Sequence, residues 1–572
     1  MTSPSHASPV LNAGPARRLQ AWPARPETFL FAAAFAIVAI LVLLPLFSIV
    51  PHSIYDNRAQ AWTIEFFADV FSYPTVLVNT VLVGVLSTAI AVVLGGAIAL
   101  ILARTDAPTR GLLDRLVIIP IYITPLLTAI AWSWLGSPRS GFVNILIRDM
   151  LGFDWFVLNL QSAVGVIAIS GLSYVPLPYL LISSALRSMD NALEDSARVH
   201  GSSPLKTLKL VTLPLMTPAI LGSALLVFVQ ALGLFSIAAV LGMPAGFYVA
   251  TTEIYRLLDN YPPRLGHAAA WGMFLLLITV AIVLIQNRIL GRRSYVTVTG
   301  KAFRPRILTL GLFRYPLAGL VWVYVFLSSL LPLSVILWGS LVSFLTADFD
   351  LMSFTFKHFN YVLFEYPKTG MALVNSLGLG AATATVVTAL GLVVSWIIVR
   401  TKTPGRVQLE QVSMFPLSVP AMVFALGLLW TYVGIRFLPI YGTIWILLLA
   451  YVTHYLPIGI RATNTALRQL QPELEDAARI SGASWSQSVR YITFPLTRPT
   501  MIAAWMLLFI MAMQEVSASI LLYTSQSVVL SVAVFDLWET GQPNSLAALS
   551  VIQLVVTFAV VAVLFRTRKL VV

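Results

Sequence analysis

Two stretches of the chain read almost alike: Leu193-Glu194-Asp195-Ser196-Ala197-Arg198-Val199-His200-Gly201 and Leu474-Glu475-Asp476-Ala477-Ala478-Arg479-Ile480-Ser481-Gly482, offset by 281 residues. The same offset relates Tyr174 and Pro176 to Tyr455 and Pro457, Ala185-Leu186-Arg187 to Ala466-Leu467-Arg468, Pro214 to Pro495, and Pro218 to Pro499. Upstream, Asn79, Arg104-Thr105 and Pro108 answer Asn375, Arg400-Thr401 and Pro404 at an offset of 296. The offset falls from 296 to 281, which places an insertion of 15 residues in the first half, between Pro108 and Tyr174. Two gapless registers in one chain of 572 residues mark a tandem duplication.

What surrounds these stretches is apolar. The chain is 58% hydrophobic and 10% charged, where soluble proteins carry about 25% charged residues. Runs long enough to cross a bilayer as helices fall near 29–50, 76–103, 112–136, 163–185, 218–242 and 268–290. A second series falls near 317–341, 372–399, 413–434, 440–460, 501–523 and 546–565. The expected fold is therefore an all-α polytopic membrane protein of about twelve transmembrane helices in two homologous six-helix halves, 29–290 and 317–566. A basic linker, 291–316, joins them, with tails 1–28 (read as disordered) and 567–572. The loops leave no room for a soluble ATP-hydrolysing domain. The run 29–50 exceeds the roughly 7–15 residues of a signal-peptide core and reads as a retained first helix.

The net charge of +13 would suggest nucleic acid in a soluble protein. Here it reads as an orientation signal, with no nucleic-acid partner. Arg288, Arg292, Arg293, Lys301, Arg304, Arg306 and Arg314 crowd the stretch 288–314 without an acid, and Arg566, Arg568 and Lys569 follow the last span. The positive-inside rule puts the linker and both termini in the cytoplasm. The absence of cysteine excludes disulfides and thiol chemistry.

By this topology the repeated stretch lies on the cytoplasmic side between spans four and five of each half. Asp190–His200 is expected to form a short helix with acids in its first turn, where they suit the helix dipole. Gly201 ends it in the left-handed conformation, and Pro214 and Pro218 restart the chain at the next membrane helix. Ala197, Ala477 and Ala478 leave a face low in bulk, suited to a groove on another protein. A hairpin that merely reconnects two spans is the plainer reading. Two copies at equivalent places favour a symmetric partner with two docking sites.

Glu194 to Gly201 and Glu475 to Gly482 resemble the EAA loops of permease subunits of binding-protein-dependent ABC importers, with Asp195 and Asp476 in place of the first Ala of that pattern. The resemblance implies a type I ABC importer permease fold in the bacterial inner membrane. It also makes Glu194, Asp195, Ala197, Arg198 and Gly201, with Glu475, Asp476, Ala477, Ala478, Arg479 and Gly482, the ATPase-coupling residues. Two separate ATPase subunits, taken as a homodimer, would seat the loops, and an extracytoplasmic solute-binding protein would deliver substrate. ATP would be used by the partner, leaving no cofactor, metal or catalytic residue in this chain. Consistently, no Gly-x-x-x-x-Gly-Lys-(Ser/Thr) phosphate loop occurs, Gly300-Lys301 being the nearest approach.

Polar residues inside a membrane span are functional candidates by default. Glu515 is the only acid in the run 501–523, preceded by Gln514 and followed by Ser517, whose match at the 281 offset is Ser236. Gln230 is the polar residue of the corresponding first-half helix. These five are the candidate pathway residues, with an acid near the outer end of the helix, or one bonded to a neighbouring helix, as the alternative for Glu515. The ferric-iron permeases are similar in carrying a Glu followed by small residues and an apolar run, although Glu515 lacks the Pro that follows there. Ferric iron is the first choice of substrate. Thiamine, phosphonate, polyamine or another small solute is the alternative, and a twelve-span secondary transporter is the rival class. The six histidines show no metal-ligand spacing, and His454 reads as a satisfied core residue. Asn79 and Asn375 are expected to bond across helices, and Gly95-Gly96 to mark close packing.

Overall fold

In hydrocarbon every backbone donor and acceptor must be bonded within its own segment, so apolar runs of spanning length fold as helices. The computed structural model describes residues 26–56, 59–153, 155, 157–291, 307–309, 311–346, 354–435, 439–471 and 473–569. Tail residues 1–25, most of the basic linker and residues 570–572 lie outside them. Among the described residues, ten helices of 21 to 32 residues are long and apolar enough to cross a membrane, and two bent pairs, counted as one span each, bring the crossings to as many as twelve. The strands among the described residues are two-residue pieces, Tyr55–Asp56 paired antiparallel with Ala61–Trp62.

Two expected spans are broken. The run 112–136 is not one helix: Arg110–Tyr122 meets Pro125–Leu135 at 96°. The run 413–434 likewise divides into Arg406–Ser418 and Ala421–Val433, at 108°. Proline removes a donor and clashes with the preceding turn, and prolines flank each break: Pro120 and Pro125, then Pro416 and Pro420. Pro125 opens its helix at the first position, where no donor is needed, and the Thr124 hydroxyl caps it by accepting the Leu127 N–H at 3.1 Å.

Spans five and eleven also differ from expectation. They run Pro204–Leu232 and Val489–Met513, so each ends about ten residues before its apolar run does. Pro214 and Pro218 do not restart the chain, since both lie within the helix Leu213–Leu232 of a span that is already helical from Pro204. In each half a π-helical turn, Leu208–Thr212 or Val489–Thr493, precedes the proline at 214 or 495. The first-half insertion contains the helix Phe142–Leu151. No equivalent helix occurs among the described residues between Val433 and Ile444.

The halves are interlocked. The first helix of the chain, Pro26–Ile54, packs on Ala421–Val433 of the second half, and Leu331–Leu341 packs on Pro125–Leu135 of the first. At the former crossing the Ser48 hydroxyl donates to the Gly427 carbonyl at 2.7 Å. A Cβ at Gly427 would sit 2.3 Å from the Pro45 carbonyl oxygen, so only glycine allows this approach. Within each half, Gly95 packs on the Val175–Tyr179 segment and Gly391 on Gly459, as the first of them was expected to. The Asn79 amide donates to the Tyr248 carbonyl at 3.0 Å, and the Asn375 amide to Val528 at 2.9 Å.

Candidate coupling and translocation sites

The repeated stretch folds as the helices Asn191–Val199 and Glu473–Ile480. Asp190 caps the first by accepting the Ala192 N–H at 2.9 Å. Gly201 and Gly482 end them at φ of +82° and +85°, with the Ser202 and Ala483 N–H groups returning to Ala197 and Ala478 carbonyls. Each helix has two distinct faces. Val199 and Ile480 stand 86% and 88% exposed, with Leu193 and Leu474 about half exposed beside them. Ala477 lies on the exposed side, and Ala197 and Ala478 are half-buried.

The glutamates point the other way and are 8% exposed. Glu194 accepts from Arg104 at 3.4 Å and from the Thr212 hydroxyl at 2.8 Å. Glu475 accepts from Arg400 at 3.2 Å and from Thr493 at 3.1 Å. Each arginine also donates to the end of the preceding membrane helix: Arg104 to the Leu186 carbonyl, Arg400 to the Leu467 and Leu470 carbonyls. Asp195 and Arg198 are half-buried. The side chains of Asp476 and Arg479 lie outside the described residues. The linker returns to this same end, where Leu308 N–H donates to the Arg104 carbonyl at 2.8 Å.

All five candidate pathway residues, Gln230, Ser236, Gln514, Glu515 and Ser517, line one cavity of about 250 Å³ between the halves. Its walls include the breaks, the Pro120–Pro125 and Leu417–Ala421 bends and the chain just beyond Leu232 and Met513, together with the helices that carry Tyr174, Pro176, His454 and Tyr455. Irregular backbone at membrane depth is tolerated where it lines a cavity, and broken helices are where transporters build their sites. Glu515 is thus not inside a helix, as its apolar run suggested, but one residue past the helix's terminal cap, Gln514. Its Oε1 accepts the Ala518 N–H at 3.0 Å and its Oε2 the Tyr455 hydroxyl at 2.6 Å. A carboxylate that bonds local backbone offers the chain an alternative to the helix, and this one stabilises the break.

The two walls are related by the duplication but not equal. Tyr174 donates to the Gln230 carbonyl at 3.2 Å, and Tyr455 donates to the Met511 carbonyl at 3.1 Å, each closing the end of its fifth-span helix. Only Tyr455 also meets a carboxylate, because Leu234 stands where the second half has Glu515. Glu515 alone among the lining residues carries a formal charge. His454, expected to be a satisfied core residue, lines the cavity too, and its Nδ1 and the Gln514 amide nitrogen are buried without a partner among the described residues. The tyrosines and arginines went unassigned from sequence, although Tyr174, Tyr455, Arg104 and Arg400 were all visible as repeat landmarks. A larger cavity of about 650 Å³, lined by His52, Arg256 and Trp430, touches none of the candidate residues.

Comparison with known proteins follows the duplication. Residues 91–294 and 388–569 each match the family described as binding-protein-dependent transport system inner membrane component. The chain is 30% identical over 455 residues to a Haemophilus influenzae protein assigned as a ferric transport system permease, covering 78% of this chain and 69% of that one. It is 28% identical over 488 residues to a ferric transport system permease of Actinobacillus pleuropneumoniae, covering 84% and 68%. A solved bacterial ABC transporter that imports the polysaccharide alginate aligns at a TM-score of 0.40 and 22% identity, over 47% of this chain and 96% of that chain.

Proposed function

Because the chain belongs to the family of binding-protein-dependent transport system inner membrane components, we propose that it carries ferric iron through the cavity between its halves, driven by two ATPase subunits docked on its two repeated loops. The chain is an ABC importer permease with both halves fused. The proposal adds its cargo, its two docking sites and its orientation, with loops, linker and termini in the cytoplasm and a solute-binding protein at the opposite face.

The observation that carries the substrate assignment is Glu515, the one charged group in a cavity bounded by the helix breaks of both halves. A carboxylate there favours a cation, and no lysine or arginine lines the cavity to oppose it. At about 250 Å³ the cavity is smaller than the roughly 300–1,000 Å³ of sites for drug-sized ligands, which suits a small ion. Two relatives assigned to ferric transport support iron over other cations. Docking is supported by Val199 and Ile480, equivalent apolar side chains left in solvent on two equivalent helices.

Glu515→Gln tests the pathway role. It keeps the shape and one acceptor but removes the charge. Iron uptake and substrate-stimulated ATP hydrolysis are expected to fall by roughly tenfold or more, the scale of a lost bond to a charged group. Unchanged uptake and unchanged stimulation would sink the assignment.

A further inference from the structure

We propose that Glu194 and Glu475 are not the groups that touch the ATPase but internal latches, which fasten each coupling helix to the membrane helices it moves. Arg104 and Thr212, with Arg400 and Thr493, are positioning residues in the same device. The inference rests on the proposed docking of ATPases at these loops and adds how the pull is transmitted.

Each carboxylate joins four segments. Through Arg104 it reaches the end of the helix Pro74–Arg104 and, by the Arg104–Leu186 bond of 3.0 Å, the end of Pro176–Ser188. Through Thr212 it reaches the π-turn that opens Leu213–Leu232. The fourth segment is the coupling helix itself. Arg400, Glu475, Thr493 and Leu467 repeat the arrangement in the second half. The surrounding loops have meanwhile diverged, Ser196 against Ala477, His200 against Ser481 and Pro204 against Trp485.

The latched segments run directly to the cavity. Pro176, the first residue of its helix, lines it, and Leu213–Leu232 delivers Gln230 to its wall. Twenty helical residues span about 30 Å, so a displacement at the loop reaches the cavity through rigid rods. A buried ion pair contributes little net stability against an apolar replacement, so stability alone does not account for an arginine and a glutamate at both places. Contact with a partner through Glu194 or Glu475 would require leaving both partners, whereas Leu193, Val199, Leu474 and Ile480 already face outward.

The test compares two sets of variants in the full complex of permease, ATPase and binding protein, reconstituted in lipid vesicles. Glu194→Gln with Glu475→Gln is expected to co-purify with the ATPase in wild-type amount and to hydrolyse ATP. Substrate carried per ATP should fall roughly tenfold, within the range of mutations along coupling networks. Val199→Asp with Ile480→Asp should instead lose the ATPase. If the Gln pair does not accumulate, Thr212→Val with Thr493→Val removes one tie without stranding a charge, and should lower substrate per ATP at unchanged assembly. Loss of the ATPase from a well-folded Gln or Val pair, or an unchanged transport ratio, overturns the latch. Failure of the wild-type chain to retain any ATPase would overturn the proposed function instead.

Discussion

Glu515 and Leu234 hold equivalent places in two copies of one ancestral half, and only one of them is charged. The duplication thus supplies its own control for the cavity. Tyr455→Phe removes a donor to a carboxylate as well as to the Met511 carbonyl, whereas Tyr174→Phe removes only the bond to the Gln230 carbonyl. Bonds to charged groups contribute about 1.5–3 kcal/mol and neutral ones about 0.5–1.5. Uptake is therefore expected to fall roughly tenfold in Tyr455→Phe and no more than a few-fold in Tyr174→Phe. Equal losses would mean the carboxylate bond has no special part. The acid itself was legible as the lone charge in an apolar run. Its partners were not, because Tyr455 lies 60 residues away on another helix and no periodicity within one run points to it.

At the scale of elements, apolar run length located the helices but missed their breaks. The signal was present in Pro120, Pro125, Pro416 and Pro420, yet a proline in a membrane run is as compatible with a kink as with a turn near 100°. Which it becomes depends on the cavity the bend lines, a property of several elements together. Helix contacts at glycine are easier to test. At Gly95 a Cβ would meet the Val175 carbonyl oxygen at 2.9 Å and Pro178 Cβ at 3.0 Å, while at Gly222 it would meet nothing within 4 Å. Gly95→Ala is expected to destabilise by about 1–3 kcal/mol through overpacking. Gly222→Ala is expected to be neutral or to stabilise, by up to about 1 kcal/mol of helix propensity. Thermal unfolding in detergent separates them, and a Gly95→Ala protein as stable as Gly222→Ala would refute the close approach.

The helix Leu530–Glu539 carries a second element-scale test, in Asp536. Burial raises its pKa, but hydrogen bonds from Lys368 at 2.8 Å and Tyr366 at 2.7 Å outweigh it and hold the carboxyl below its ordinary value. A depressed pKa contributes stability that is full above the unfolded value of about 3.9 and is lost as pH falls through the lower folded one. Asp536→Asn should therefore unfold at lower temperature than wild type at pH 7, with the gap closing in acid. A gap that persists below the folded pKa would assign the effect to packing.

The whole molecule is two copies bridged by their first helices around one cavity, with a repeated short helix in each copy. The duplication and the number of crossings could be read from the chain, because offsets of 281 and 296 and apolar run length are local properties of sequence. The bridging by the first helices could not, since Pro26–Ile54 and Leu331–Leu341 are largely apolar and carry no mark that each packs on both halves. Nor could the inward turn of Glu194 and Glu475, which is decided by arginines on another helix. The most direct test of an ATP-driven iron permease is radioiron uptake into vesicles holding the chain, its ATPase and its iron-loaded binding protein. Uptake is expected only when ATP and the ATPase are both present, and is expected to fall with Glu515→Gln. Iron accumulation by the chain alone, driven by an ion gradient without ATP, would contradict it.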